Sequence, residues 1–394
     1  MKRAEYIALS ACTMMLTALG IDIMLPVFSH VRDYFHLSEA STATAHIVTF
    51  FFLGQIAQII FGALSDRFGR LSILRIGFPL YIIGGVAATY APTIGIMFAA
   101  RFLAGMGASA VFMTTIAGVR DRFVGDDMAR IMSLILTIFL STPVFAPFLG
   151  LGILSVASWR MVFLTPPLFA VIVFIWSLRL EESHPKEKRK ALTIKSFSEA
   201  LKNVLGNRVF LRYTSITTIL FMGLSSWVSS SEHIVSEIYK QPHLFAWIFA
   251  GIGLWMAIST LTNSRMSYKF GARQTLRWLL ISYTSIATVL LISTFIFGDP
   301  PQIVLFVVAV AMLLGINLAI EPNSSALAME PMGNVAGVAS SIYGTVFFFV
   351  GAGLGSIISV LMTKTVFPLI ISFFLIGVVC LTLAFGDRRQ TITS

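Results

Sequence analysis

The sequence predicts an all-α polytopic membrane protein: twelve transmembrane helices forming two six-helix bundles related by a pseudo-twofold axis. Three observations carry this. Of 394 residues, 57% are hydrophobic and only 12% charged, against roughly 45–50% and about 25% in soluble domains. The apolar residues gather into twelve runs, each near the about 20 residues a helix needs to cross a bilayer. A loop signature after the second run returns after the eighth, the mark of two similar halves.

In chain order the runs cover roughly 6–30, 42–64, 73–91, 94–118, 131–155, 161–180, 209–231, 243–265, 275–297, 301–328, 335–361 and 366–385. The first follows Met1-Lys2-Arg3 and is longer than a signal-peptide core. No small-residue cleavage site closes it, so it is expected to stay as the first helix. Most connections are short. The exception, 181–208, is polar and charged and contains His184-Pro185 and a cluster from Lys186 to Lys190. It separates an amino-terminal bundle (1–180) from a carboxy-terminal bundle (209–394) and is expected to be a cytoplasmic linker.

With the amino terminus inside, most of the 28 Lys and Arg fall on the cytoplasmic side, as the positive-inside rule requires. Arg32, Arg160, Lys240 and Lys364 fall outside, and Arg101 within a helix. Both termini are therefore expected to be cytoplasmic in a multi-pass plasma-membrane protein. The net charge of +10 does not point to nucleic acid, because the basic residues sit in short gaps and form no single patch. Cys12 and Cys380 lie inside apolar runs, so neither a disulfide nor a metal site is indicated. With no phosphate loop, catalytic triad or metal constellation, the chain reads as a non-enzyme without cofactor. Its expected partners are a small-molecule substrate, protons and the bilayer, and it is expected to act as a monomer.

The repeated loop reads Gly62-Ala63-Leu64-Ser65-Asp66-Arg67-Phe68-Gly69-Arg70, with Arg75 beyond. Asp66-Arg67-Phe68-Gly69 returns as Tyr268-Lys269-Phe270-Gly271, 202 residues later, and Arg277 matches Arg75. Tyr268 replaces the acid, so the two halves are not functionally equivalent.

That loop resembles the one between helices 2 and 3 of the major facilitator superfamily. Three further stretches resemble its drug:proton antiporters: Arg101-Phe102-Leu103-Ala104-Gly105-Met106-Gly107 in the fourth run, Ala146-Pro147-Phe148-Leu149-Gly150 in the fifth, and Ile21-Asp22-Ile23-Met24-Leu25-Pro26 in the first. The last, with Arg120-Asp121, Asn323–Ala328 and Ala336–Ser341, is similar to the bicyclomycin- and chloramphenicol-resistance (Bcr/CflA) branch. Departures include Leu71 for a second basic residue and Ala104 for a Gln. The resemblance implies proton-coupled export of small, mostly apolar drugs by alternating access. Export of an endogenous metabolite, such as a siderophore or amino acid derivative, and proton-coupled uptake stay open. A non-transporting receptor or scaffold has no need of intramembrane acids and hinge prolines.

Asp22 is the candidate proton carrier. A charged carboxylate at that depth is costly, so it can take up a proton or be fixed in a salt bridge. Arg101 lies at similar expected depth and is its expected partner, either gating the proton or forming a static pair. His46, near the same side, is either a proton relay or an interfacial histidine. Glu321 shares a helical face with Asn317, Ser324 and Ser325 beside Pro322. It is either a substrate-cavity acid favouring cationic compounds or a solvated acid near the helix end. Asn323, Tyr343 and Trp227 complete the expected cavity. Gln58, with Gly54 and Gly62, is read as helix packing. Gly62, Asp66, Arg67, Gly69, Arg70, Arg120 and Asp121 are expected to form a cytoplasmic latch. Pro143 and Pro147 are expected to let the fifth helix bend. Gly337, Gly344, Gly351 and Gly355 should form one close-packing stripe on the eleventh.

Overall fold

A computed structural model describes residues 1–185, 187, 189 and 194–386; Lys186, Lys188 and Lys190 of the expected basic cluster lie outside them. The described chain is helical throughout its long elements. We label them α1 (Arg3–Tyr34), α2 (Ala45–Phe68), α3 (Arg70–Thr89), α4 (Ile94–Arg122), α5 (Gly125–Leu154), α6 (Trp159–Ser177), α7 (Arg208–His233), α8 (Phe245–Phe270), α9 (Ala272–Phe297), α10 (Ile303–Met329), α11 (Ala336–Leu361) and α12 (Phe367–Phe385). A linker helix, Ile194–Gly206, precedes α7. Each expected apolar run coincides with one labelled helix.

Eleven of these helices are long and apolar enough to cross a membrane. The exception is α7, which has 26 residues but is rich in serine and threonine. Thr214, Thr217, Thr218, Ser225, Ser226, Ser229, Ser230 and Ser231 are all buried. Several of these hydroxyls bond carbonyls of their own helix, as Thr218 does to Thr214 (2.7 Å) and Ser229 to Ser225 (2.7 Å). A helix walled in by others can carry such groups, because it need not present an apolar face to lipid. The outer helices show the reverse pattern: Ile83 of α3, Ile172 and Ile175 of α6, Val289 of α9 and Leu375 of α12 are exposed. An exterior with so many large apolar residues suits a solvent that is itself apolar.

Two large apolar cores organise the bundle. One draws on residues 9–173 and also takes in Phe221, Val235, Phe245, Phe249 and Ala352; the other spans 204–384. They meet where α2 packs on α11 and α5 on α8, with the Phe148 and Trp247 rings 4.9 Å apart. The repeated loops have a shared backbone cause. Gly69 (φ 96°, ψ 159°) and Gly271 (φ 78°, ψ 154°) both end a helix in a region closed to side chains. The reversal needs glycine in each half. Gly105 serves another purpose: a Cβ there would run into the carbonyl oxygen of Phe51, so α2 and α4 touch backbone to backbone.

Candidate functional site

A cavity of about 210 Å³ lies where α1, α2, α4, α5, α7, α8, α10 and α11 converge. Its wall is largely apolar and rich in aromatic rings, including Phe52, Phe139, Phe221, Trp227, Phe249, Phe347 and Phe348, with Asp22 as the ionisable group in it. Asp22 ends the first α-helical segment of α1. Pro26 then falls in a 3₁₀ turn, Leu25–Val27, before helix resumes at Phe28. Proline has no N–H to return to the carbonyl of Asp22, so the α-helix cannot run through. The Asp22 side chain is 5% exposed, and among the described residues no hydrogen-bond donor or charged group acts on it.

The expected Asp22–Arg101 pair does not form. Arg101, 3% exposed, donates through Nη2 to the carbonyl oxygen of Gly20 (2.7 Å) and through Nε to that of Ile47 (3.3 Å), and its guanidinium lies 4.4 Å from the centre of the Phe51 ring. The break in α1 explains this. Met24 N–H, the usual helical partner of Gly20, donates instead to Ile21 (3.4 Å). The freed Gly20 carbonyl is taken by Arg101. Residues two apart on a helix point to opposite sides, so Asp22 faces the cavity while Gly20 faces α2 and α3. His46 joins neither residue; its ring stands edge-on to Phe98, with centroids 5.8 Å apart.

Of the five expected cavity residues, Trp227 alone is in the wall. Asn317 donates to the Leu220 carbonyl of α7 (2.7 Å), beside Ser324, which donates to the Tyr213 carbonyl (2.9 Å). Asn323 donates to Asn263 (2.7 Å) and accepts from Ser267 (2.6 Å), both on α8. Glu321 accepts from the Tyr343 hydroxyl of α11 (3.3 Å). A helix with neighbours on every side divides its polar residues among them, and α10 does so here; the single polar binding face is corrected accordingly. Leu318, one turn before Glu321, is the α10 residue that reaches the cavity.

The glycine stripe of α11 is likewise divided. A π turn, Val346–Val350, interrupts the helix and rotates the segment beyond it. Gly337 and Gly344 face Asp66 and Gln58 of α2, whereas Gly351 and Gly355 face Phe221 and Ser225 of α7. Gln58 also donates to Gln55 (3.1 Å), which borders the cavity. Pro143 and Pro147 remain inside one unbroken α5, with Pro143 in the cavity wall.

At the end that carries the amino terminus, Arg70 holds Asp66 (2.6 Å), Asp121 (2.8 Å) and Ser65 (3.0 Å). Glu182 accepts from the backbone N–H of Arg70 (2.9 Å) and Leu71 (3.2 Å), capping α3. Asp66 also lies over the first turn of α11: a Cβ on Gly337 would be 3.7 Å from Oδ2. Arg67 covers Phe68, and Arg120 borders a polar cavity of about 170 Å³ with Gly62, Asp66 and Ser341. Sequence reasoning missed Glu182, although two acids directly follow the sixth run.

It also missed the network at the opposite end. Arg32 forms a two-pronged pair with Glu232 (2.7 and 3.0 Å), a third bond to Glu237 (2.9 Å), and a longer one to Thr44 (3.4 Å). The side chains of Arg32 and Glu232 are each 3% exposed. The signal lay in the repeat: these residues are 200 positions apart, near the 202-residue offset. Equivalent positions close to a pseudo-twofold axis meet each other.

The description "Major Facilitator Superfamily" belongs to a family model that matches residues 10–356. The chain is 28% identical over 363 residues to a bicyclomycin resistance protein homolog of Haemophilus influenzae, a match covering 90% of this chain and 89% of that one. It is 30% identical over 237 residues to the multidrug resistance protein MdtL of Escherichia coli, covering 60% and 59%. Among solved structures, a D-xylose-proton symporter superposes with a TM-score of 0.74 at 14% identity, over 98% of this chain and 97% of that one. That likeness concerns the fold.

Proposed function

Since the chain belongs to the Major Facilitator Superfamily, and so is a secondary transporter and not an enzyme, we propose that it exports small, mostly apolar drugs or related compounds in exchange for protons. One observation carries the reading: Asp22 is buried, faces an aromatic cavity and has no partner among the described residues. A carboxylate so placed is stabilised by taking up a proton, or by a bound compound that offers it a donor or a positive charge. Proton and compound then compete for one group, which is the requirement for exchange. The names of the drug-resistance relatives support the same direction.

Arg101 ties the broken segment of α1 to α2 through one carbonyl of each, Gly20 and Ile47, and so fixes where Asp22 stands. Alternating access requires the two ends of the cavity to open in turn. The Arg32–Glu232 pair ties the halves at one end, and Asp66 over the start of α11 ties them at the other. The excess of Lys and Arg at the Asp66 end supports placing that end, with both termini, in the cytoplasm of a bacterial cell.

Proteoliposomes with an imposed pH gradient test this reading. Adding neutral and cationic aromatic drugs should move protons, and Asp22→Asn should abolish the movement while drug binding persists. Exchange at the wild-type rate in Asp22→Asn would overturn it.

A further inference from the structure

Phe347 and Phe348 form an aromatic wall of the cavity and stand on the π turn of α11. Phe347 packs against Phe221, with centroids 4.3 Å apart, and Phe348 lies nearly parallel to Phe52 at 6.2 Å. The wall therefore touches helices of both halves. A π turn is a bulge within an α-helix, an element frequent at functional sites, and a shift of it by one residue would re-aim the side chains it carries.

Behind this wall stands Tyr343. Its ring is parallel to Phe347 within 5°, at 6.2 Å, and its hydroxyl donates to Glu321 (3.3 Å). Glu321 is outside the cavity wall. Tyr343 is the titratable group facing it, and no charged group among the described residues acts on its carboxylate. Thr217 and Ser325 flank the same Tyr343 hydroxyl and offer it other places to bond.

We propose that Glu321 is a positioning residue for the cavity, whose protonation, passed through Tyr343, sets the stance of Phe347 and hence the grip on aromatic compounds. This rests on the cavity being the substrate site. When Glu321 is ionised, the Tyr343 bond is charge-assisted, about twice as strong as a neutral one. A proton taken from solvent converts the carboxylate to a carboxylic acid and weakens that bond; Tyr343 keeps its own proton throughout. The Tyr343 side chain, ring included, then shifts toward Thr217 or Ser325, and the stacked Phe347 moves with the ring. Each half thus contributes one acid: Asp22 meets the compound, and Glu321 adjusts the wall that holds it.

The test measures binding of tritiated chloramphenicol, aromatic and uncharged from about pH 5 to pH 9, to the full-length protein in nanodiscs. Asp22→Asn is the background, so that the acid in the cavity wall does not titrate. In that background affinity should change about tenfold across the range, the weight of one charge-assisted hydrogen bond. Glu321→Gln should flatten the profile. Tyr343→Phe should flatten it too with Glu321 still present, an outcome that a merely structural role for Glu321 does not give. If Glu321→Gln fails to fold, Tyr343→Phe, which loses one hydroxyl, decides. A flat profile in Asp22→Asn alone, no binding at any pH, or an unchanged profile in Tyr343→Phe overturns the proposal. Should binding behave as expected while proteoliposomes move no protons, proton exchange falls and the positioning role stands.

Discussion

The two ends of the molecule hold its halves together by different physics. At the amino-terminal end the charged network is local. Arg70 gathers Asp66, Asp121 and Ser65, and Glu182 caps the same helix. Of these residues Asp66 reaches across, to the first turn of α11, and its side chain is 49% exposed. At the opposite end Arg32 and Glu232 cross between the halves in a buried two-pronged pair, with Glu237 as a second acceptor. A carboxylate near a helix start contributes about 0.3–1 kcal/mol. Removing one partner of a buried pair costs about 3–5 kcal/mol, because the other is left charged and alone. The loop that carries the family signature is therefore the weaker tie in this conformation, and the stronger one has no motif.

Breaking the strong tie should have the largest effect. Arg32→Ala strands Glu232, and spin-label distances across that end should lengthen markedly, with a loss of about 3–5 kcal/mol of closure. Replacing both partners, Arg32→Met with Glu232→Leu, should restore much of it, since no charge then stays buried unpaired; equal damage from the single and double changes would mean the pair is not the tie. Next comes Arg70→Ala, which leaves Asp66 and Asp121 without their cation. Because this site is partly exposed, roughly 1–2 kcal/mol of thermal stability should go, with little change in distance across the gap. The smallest effect belongs to Asp66→Asn, within about 1 kcal/mol. It should vanish at about 1 M salt, where charges are screened beyond about 3 Å, whereas the Arg32 effect should persist. A persistent Asp66 effect would make the two ends alike.

The architecture was legible because it rests on quantities that sum along the chain: run length, charge per gap and the 202-residue repeat. Gly69 and Gly271 are legible for a stricter reason, since their backbone angles exclude other residues. The site was less so. Depth counting placed Asp22 and Arg101 at one level but carries no information on azimuth, and the break after Asp22 turned the arginine to the Gly20 carbonyl. The polar group on α10 looked like one surface because a sequence shows which residues share a face, not how many neighbours divide it. Nothing in the Phe347 neighbourhood announces a π turn. The Arg32–Glu232 pair has a sequence signal, a separation of 200 residues close to the 202-residue repeat, but no motif of its own.

The polarity of α7 bears on how the chain enters the membrane. A segment so rich in hydroxyls is a poor candidate for insertion on its own, since the translocon admits helices by their apolarity. Chains ending just after α7 should leave Arg208–His233 outside the bilayer, and chains extended through α12 should draw it in. Glycosylation tags placed after α7 in such a truncation series would report the order of events. On this view the helix that lines the cavity is the guest of its successors, and the second half becomes a membrane protein only once it is complete.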